Sequence, residues 1–399
     1  RPSKIIKDPG GRRFIASVCI LAALWLAVSL MLGAKIWTAL IAVPLAWGVL
    51  DRTLKRLLAR GGEGRLFKMR VRQVPDMWRT LVVLPALLSG EGCAREAARE
   101  LRAHACLTRD ANIDFLLLGD LPGSGEPEAA GDELIIRAAA GETEISNAEL
   151  EREKCYFLYR SRVQDADGRY SARERKRGAL ESLNAMLLGG PGEFLGTAPG
   201  RGYRFVVTLD VGTRLLPDAL FRMIGAMAHP LNDKYGVIQP RMEPNTAKNP
   251  FTRLMVGRGG CDSYDTFASD AWQSMAGEGA FSGKGIYDVE RFAGRLDGKV
   301  LPNTVLSHDL LEGIFAGCGY MGDVALYESF PGRAGSWLTR LHRWTRGDWQ
   351  LVRYLPRVHA LLGRYRICAN LLGSLRAPCL TALFLLGALG GDIYAGGMA

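Results

Sequence analysis

The sequence predicts an α/β domain with a mostly parallel sheet, flanked by transmembrane helices. Short apolar runs that end in turns alternate with segments of helical pattern along the middle of the chain, as in chains that build parallel sheets. Near the amino terminus lie two longer runs without charge, Phe14–Ala34 and Ile36–Leu50. The first is long enough to cross a bilayer, and the second is marginal.

These two runs predict a transmembrane hairpin, because neither shows a polar face. The alternative is a buried helical hairpin in a soluble core. Lys and Arg crowd the outer flanks and only Lys35 lies between the runs, which predicts that both ends face the cytoplasm. A third apolar stretch, Ala377–Gly391, suggests a further segment that is cut short, and the lack of an initial Met suggests a piece of a longer protein.

Charge and cysteine content limit the partners and the compartment. Much of the net charge of +10 lies beside the apolar runs, which favours anionic lipid headgroups as a partner. No zinc-finger spacing or aromatic RNA-binding motif is present, so nucleic acid is not expected. The 8 cysteines form no CxxC pairs, which favours reduced thiols in a cytosolic domain over disulfides or a zinc site.

The predicted elements alternate in type along the central part of the chain. The strands are Trp78–Leu88, Ile113–Leu118, Cys155–Arg160, Arg204–Leu209 and Tyr235–Pro240, and the helices are Glu91–Ala105, one that follows Arg173–Arg177 and runs through Leu188, and Pro217–Ala228. The acidic segment Leu121–Leu150 is predicted to be a loop with a surface helix, since such segments rarely build a core.

The strand Arg204–Leu209 leads directly into Asp210 and the small-residue turn Val211-Gly212. Ligands of open α/β sheets bind beyond the carboxyl ends of strands, where a carboxylate can hold a divalent cation against a diphosphate. The alternative is that Asp210 only caps the next turn.

Two segments downstream carry further polar candidates. The glycines of Ala276–Asp288 could cradle a phosphate, although their order fits neither a P-loop nor a dinucleotide fingerprint, or they could form a mobile loop. In Leu306–Phe315, Ser307 is a candidate N-cap that places His308 and Asp309 in the first helical turn. Asp309 could simply cap this helix, and His308 could be a base, a ligand partner or a hydrogen-bonding side chain.

The segment Leu341–Gln350 concentrates arginine and tryptophan. Arg343 and Arg346 lie one turn apart and suit a pyrophosphate, because guanidinium groups bind phosphate oxygens bidentately. Trp344 and Trp349 offer faces for a sugar ring. The alternative, which is compatible with these roles, is an amphipathic helix on the membrane surface.

Six motifs in this order resemble the glycosyltransferase domain of cyclic β-1,2-glucan synthases and, more broadly, membrane-embedded processive glycosyltransferases such as bacterial cellulose synthase. They are ERKRG-x-LE-x-LN (Glu174–Asn184), TLDVGTRL, GVIQPRM, GEGAFSGKGIYD, LSHDLLEGIFA and HRWTRGDWQ. The resemblance covers roughly Thr80–Leu355 and the flanking membrane segments. It implies an inverting transferase of the GT-A fold that builds β-1,2-glucan from UDP-glucose with a divalent metal, Mg²⁺ or Mn²⁺.

The resemblance also implies roles for strand-end and helix-start aspartates. Asp210 matches the first aspartate of the DxD metal motif, whereas Gly212 stands at its second position. Asp120 matches the strand-end aspartate near the uridine or its metal. Asp309 matches the catalytic base, with Ser-His-Asp in place of Thr-Glu-Asp.

The tryptophan-rich motif corresponds to QxxRW in these relatives. Arg343 and Trp344 match its last two positions, and Arg340 stands at the glutamine position. In the implied reaction Asp309 takes the proton of the acceptor hydroxyl, while a metal at Asp210 and the guanidinium groups of Arg343 and Arg346 stabilise the leaving UDP.

The remaining candidates have competing interpretations. Lys176 could contact the donor phosphates or belong to a basic helix end. Gln239 and Arg241 could reach the acceptor or cap a strand, and Glu278 and Lys284 could handle the acceptor if their loop closes. His308 and Trp349 are assigned to the acceptor side as well.

The predicted organisation has three parts: 1–76 with the membrane hairpin, 77–348 as the cytoplasmic transferase domain, and 349–399 with an interfacial helix and the start of a membrane segment. The predicted protein is a multi-pass glucosyltransferase of the inner membrane, and full-length relatives add sugar-processing domains. The alternatives are a related transferase with another sugar or linkage, or an inactive membrane scaffold. A transporter is disfavoured, because so few spans cannot enclose a path.

Overall fold

The predicted α/β class is confirmed by an eight-stranded sheet in which most neighbouring strands are parallel. The structure is a computed structural model and describes residues 9–58, 66–165, 167–200, 202–245, 249–256, 271–305 and 309–390. Its strands are β1 (Thr80–Leu87), β2 (Ile113–Asp120), β3 (Cys155–Arg160), β4 (Val163–Gln164), β5 (Tyr170–Ser171), β6 (Phe194–Thr197), β7 (Phe205–Thr208), β8 (Val237–Pro244), β9 (Gly285–Asp288) and β10 (Cys318–Glu328).

Helices surround the sheet and occupy both ends of the described chain. They are α1 (Pro9–Met31), α2 (Ile36–Leu58), α3 (Glu91–Ala105), α4 (Asp132–Glu149), α5 (Arg175–Leu187), α6 (Ala219–Met227), α7 (Pro250–Val256), α8 (Ala271–Ala276), α9 (Val289–Leu296), α10 (Asp309–Ala316), α11 (Ala334–Gln350) and α12 (Leu361–Gly390). Short 3₁₀ turns lie at Asp76–Trp78, Pro230–Asn232 and Leu351–Tyr354.

The strand order is β10-β8-β9-β7-β1-β2-β3-β6. Strands β7, β1, β2 and β3 run parallel, as do β8 and β10. Strand β9 lies antiparallel between β7 and β8, and β6 pairs antiparallel with β3. The insertion of β9 brings the start of this strand to the carboxyl end of β7, which is the edge where parallel sheets bind ligands.

The core lies on both faces of the sheet, because alternate residues of each strand point to opposite sides. In β1, Val82 and Leu84 pack with α3, α4 and α6. Leu81 and Val83 pack on the other face with α5 and α9. These four side chains are fully buried, and burial of each contributes roughly 1.5–3 kcal/mol. The sheet is thus a rigid platform for the loops at its edge.

Two helices in the described part of the chain, Gly10–Met31 and Leu361–Ala388, are long and apolar enough to cross a membrane. Many of their apolar side chains are exposed, such as Ile20 at 60% and Phe384 at 63%. Both helices pack against α2, which contains the second predicted run and Pro44. Length and composition therefore support membrane association through α1 and α12, while the predicted domain boundaries remain predictions.

Candidate active site

A cavity of ≈ 1080 Å³ opens at the carboxyl ends of β1 and β7. The predicted metal ligand Asp210 and the predicted base Asp309 both line it. The basic side chains of Lys176, Lys284 and Arg343 line the same space. Residues distant in sequence thus meet around one cavity that is large enough for a small-molecule substrate.

Strand pairing determines the surroundings of Asp210. The antiparallel register pairs Thr208 of β7 with Gly285 of β9, so that Lys284 comes to lie beside Asp210. The Lys284 Nζ lies 3.1 Å from Asp210 Oδ2, and the Lys176 Nζ lies 2.5 Å from Asp210 Oδ1. Burial opposes ionisation of Asp210, but the two ammonium groups outweigh it and hold the pKa of this carboxyl well below its usual range.

The turn after Asp210 carries no second carboxylate. Gly212 has a left-handed backbone, with φ of 89°, which glycine adopts without steric cost. Its N–H donates a hydrogen bond of 2.7 Å to Oε1 of Glu100 on α3. The second position of the DxD-like motif is therefore anchored to a helix and contributes no oxygen ligand from a side chain.

Lys176 lies in the first turn of α5, and a buried arginine clamps the segment where this helix begins. Arg160, at the end of β3, donates to both carboxylate oxygens of Asp120 at 2.8 Å. The same guanidinium donates to the carbonyl oxygens of Arg173 and Arg175, each at 2.9 Å. The structure thus places Asp120 in a buried ion pair and not among the residues that line the cavity. It contributes to the site through Arg160 and the loop before Lys176.

Helix α10 begins at Asp309, while the predicted N-cap Ser307 and the candidate His308 lie outside the described residues. The approach of Asp309 depends on Gly283, since a Cβ added there would lie 2.8 Å from Asp309 Oδ1. Gly283 also has a left-handed φ of 84°. Its carbonyl oxygen accepts a hydrogen bond of 2.7 Å from the Lys176 ammonium. The predicted glycine-rich segment therefore packs against Asp309 and is linked to Asp210 through Lys176.

The two aspartates have opposite electrostatic environments. Burial raises the pKa of Asp309, and the charge of Asp210 raises it further. The cations of Lys176, Lys284 and Arg343 oppose this rise without cancelling it. A carboxylate with a raised pKa in a cleft is suited to accept a proton, and a carboxylate held ionised is suited to face cations.

Helix α11 supplies the basic wall of the cavity. Arg343, Trp344 and Arg346 of the tryptophan-rich motif all line it. The guanidinium of Arg340 lies 5.7 Å from the ring centroid of Trp344 and also donates to Oε1 of Glu328 at 3.4 Å. Trp344 is thus held at the cavity by a cation–π contact.

Two predicted acceptor residues, Gln239 and Arg241, lie on β8 and do not line the cavity. Gln239 is fully buried, and its Oε1 accepts a hydrogen bond of 3.0 Å from the N–H of Ser282. This hydrogen bond holds the glycine-rich segment against β8. Arg241 forms an ion pair of 2.6 Å with Glu243. Gln239 therefore supports the glycine-rich segment.

Glu278 and Trp349 also lie outside the cavity lining. The main-chain carbonyl of Glu278 accepts a hydrogen bond of 3.0 Å from Arg366 of α12. The indole N–H of Trp349 donates to Oγ of Ser374, at 3.0 Å, and the side chain is 47% exposed. Both contacts link the α/β domain to α12.

Several acidic residues of the cavity lining were not among the sequence candidates, and Glu312 and Glu328 are two of them. Glu312 lies one helical turn after Asp309, so the spacing alone could have revealed that both share a face of α10. Glu328 ends β10 and lies 3.4 Å from the Lys284 ammonium. No pattern identified it, because β10 was not predicted.

The side chains around Asp210 could supply only part of the ligands of a metal ion. Within the described ranges, no group of three His, Cys, Asp or Glu side chains is placed to hold an ion. Mg²⁺ at diphosphate sites uses one or two carboxylates together with phosphate oxygens and waters. Asp210 fits such a site when a diphosphate supplies the remaining ligands.

The comparisons with known proteins agree with the motifs. No protein-family model matches the chain. Over 328 residues the chain is 36% identical to the cyclic beta-(1,2)-glucan synthase NdvB of Rhizobium meliloti, a match that covers 76% of this chain and 12% of that protein. The chain thus spans a small part of the length of its relative. It is a domain related to the cyclic β-(1,2)-glucan synthases.

Proposed function

We propose that the chain is an inverting glucosyltransferase of the GT-A type that transfers glucose from UDP-glucose to a growing β-1,2-glucan. The observation that carries this proposal is the convergence of Asp210 and Asp309 on one cavity that is also lined by lysine and arginine. The similarity to a glucan synthase supports the class of reaction and the sugar product.

In the proposed reaction Asp309 is the general base. Its carboxylate accepts the proton of the acceptor hydroxyl as the oxygen attacks the anomeric carbon and the bond from that carbon to the diphosphate breaks. A single displacement inverts the configuration at the anomeric carbon. The raised pKa of Asp309 brings its proton affinity closer to neutral pH than that of an ordinary aspartate.

The cations of the cavity stabilise the leaving diphosphate. Lys176 and Lys284 already lie against Asp210, and Arg343 and Arg346 line the same cavity, so charge that develops on UDP meets preorganised donors. A divalent ion held by Asp210 and the diphosphate would neutralise further charge in the same place. Trp344 offers a face for a sugar ring.

We place the catalytic domain at the cytoplasmic face of the inner membrane, anchored by the apolar helices. The cavity reaches α2 and α12, since Asp51, Lys55, Asn370 and Ser374 also line it. Lipids, the nucleotide-sugar donor and the glucan acceptor are the proposed partners. Additional sugar-processing domains of a longer protein would act on the product.

The test uses detergent-solubilised protein with labelled UDP-glucose and Mg²⁺ or Mn²⁺. We expect release of UDP and labelled polymer with β-1,2 linkages, loss of both with a chelator, and loss of both in Asp309→Asn. A different linkage would indicate the related-transferase alternative. Absence of UDP release under all conditions would favour the inactive scaffold, and a rate indifferent to chelator would contradict the metal role.

A further inference from the structure

Glu312 is a buried acid that the reaction described above does not use. It lies on α10 one turn after Asp309 and lines the same cavity, and only 8% of the residue is exposed. In the part of the chain that the structure describes, no side chain donates a hydrogen bond to it or lies within ion-pair distance. A buried ionised carboxylate without such partners is strongly disfavoured.

The charged groups that face Glu312 come from its own helix and from α5. On α10 the neighbour is Asp309, and on α5 the neighbours are Lys176, Arg177 and Glu181. Both cations of α5 are engaged by other groups. Lys176 binds Asp210 and the carbonyl of Gly283.

The guanidinium of Arg177 is also paired with other carboxylates. It forms ion pairs with Glu174 and with Oε2 of Glu181, the latter at 3.3 Å. Burial and the neighbouring Asp309 therefore dominate, and they raise the pKa of Glu312 to about 8.

We propose that Asp309 and Glu312 form an acid pair that shares one proton in the active protein, with the proton on Glu312 and the negative charge on Asp309. This inference rests on the proposed function and extends its site. The location of the proton follows from the cations, because Lys176, Lys284 and Arg343 act on Asp309. Glu312 has only Lys176 and Arg177, and Arg177 is already paired with two glutamates. In a pair of close carboxylates, the member nearer to cations ionises first.

The protonated Glu312 limits the negative charge around the leaving diphosphate. During transfer the acceptor proton passes to Asp309, and Glu312 keeps its own proton, so Glu312 is a positioning residue that acts through Asp309 and Lys176. When Glu312 loses its proton at alkaline pH, a second negative charge competes with the diphosphate for Lys176. Donor binding and turnover then fall.

The first test is the pH profile of kcat/KM for labelled UDP-glucose, measured from pH 6 to 10 and scaled to the plateau of each variant. In the wild-type protein kcat/KM should fall above about pH 8, with a slope that approaches a tenfold loss per pH unit. Glu312→Gln, which cannot ionise, should lack this alkaline fall. Glu144→Gln on α4 is the matched control, since this carboxylate is exposed and lies outside the cavity lining; it should retain the wild-type profile.

A second measurement uses the wild-type protein alone and does not depend on turnover. Infrared difference spectra of protein labelled with ¹³C at glutamate carboxyl groups, taken between pH 7 and 9.5, should show loss of a protonated carboxyl band. UDP affinity should decline over the same range. An alkaline fall retained by Glu312→Gln, or no protonated glutamate band in wild-type protein at pH 7, would overturn the inference. Lack of turnover with the band present would instead count against the proposed function alone.

Discussion

Strands β2 and β7 end alike in sequence and differently in structure. Each is an apolar, buried strand of the parallel sheet that leads into an aspartate. Asp120, the last residue of β2, is buried against the forked guanidinium of Arg160, whereas Asp210, two residues after β7, lines the cavity and binds two lysines. The comparison teaches that the partner brought by another element, and not the strand-end pattern, decides whether such an aspartate is buried in an ion pair or lines the cavity.

The guanidinium of Arg160 and the ammonium groups of the two lysines bind a carboxylate in different ways. A guanidinium binds a carboxylate bidentately in a fixed geometry, which suits a structural clamp. An ammonium is a point charge on a flexible stem, so Lys176 and Lys284 can exchange Asp210 for phosphate oxygens. We therefore expect substitutions at Asp120 to affect stability and substitutions around Asp210 to affect the substrate.

The largest effect on activity is expected at Asp309, the partner of Asp210 across the cavity. Asp309→Asn removes the base while it preserves size, so kcat should fall by about 10²–10⁴. Steady-state release of UDP measures this change, and thermal unfolding in detergent checks that the protein is intact. Near-normal turnover by the variant would refute the base assignment.

The contrast between the two strand ends predicts a difference in stability. Asp120→Asn leaves Arg160 buried without its counter-ion, which should cost about 3–5 kcal/mol of unfolding free energy. Asp210→Asn removes the charge that Lys176 and Lys284 bind, but this side chain is 37% exposed, so the loss of stability should be smaller than for Asp120→Asn. Thermal unfolding of the two variants in the same detergent provides the comparison, and equal destabilisation would contradict the assigned roles.

The smallest of these effects is expected at Lys284, one of the two lysines that bind Asp210. Lys284→Met removes one hydrogen-bond donor to a charged group, worth roughly 1.5–3 kcal/mol, so UDP should bind about tenfold to a hundredfold more weakly. Arg295→Met, on α9 and outside the cavity lining, is the control and should leave UDP affinity unchanged. Titration calorimetry measures both.

Much of the fold was predictable because local patterns determine it. The predicted strand Cys155–Arg160 and the predicted helix Glu91–Ala105 have the bounds that the structure shows. Strand β9 was not predicted, since its four residues become a strand only through antiparallel pairing with β7 and β8. That pairing depends on residues distant in sequence.

The candidate site was predictable to a similar extent. Asp210, Asp309, Arg343 and Trp344 all line the cavity. The first two were identified at a strand end and a helix start, and the last two from the tryptophan-rich motif. The clamp on Asp120 was not predictable, since the guanidinium comes from Arg160 on the next strand. The electrostatic role of Glu312 likewise depends on burial and on which cations are already engaged.

The central claim is that Asp210 and Asp309 act on one bound nucleotide-sugar in different ways, and donor binding measured alongside turnover tests it most directly. Titration of UDP-glucose with Mg²⁺ into Asp309→Asn should give an affinity close to wild type although turnover is lost. The same titration into Asp210→Asn should show weakened binding. Unchanged donor affinity in Asp210→Asn together with unimpaired turnover in Asp309→Asn would contradict the account.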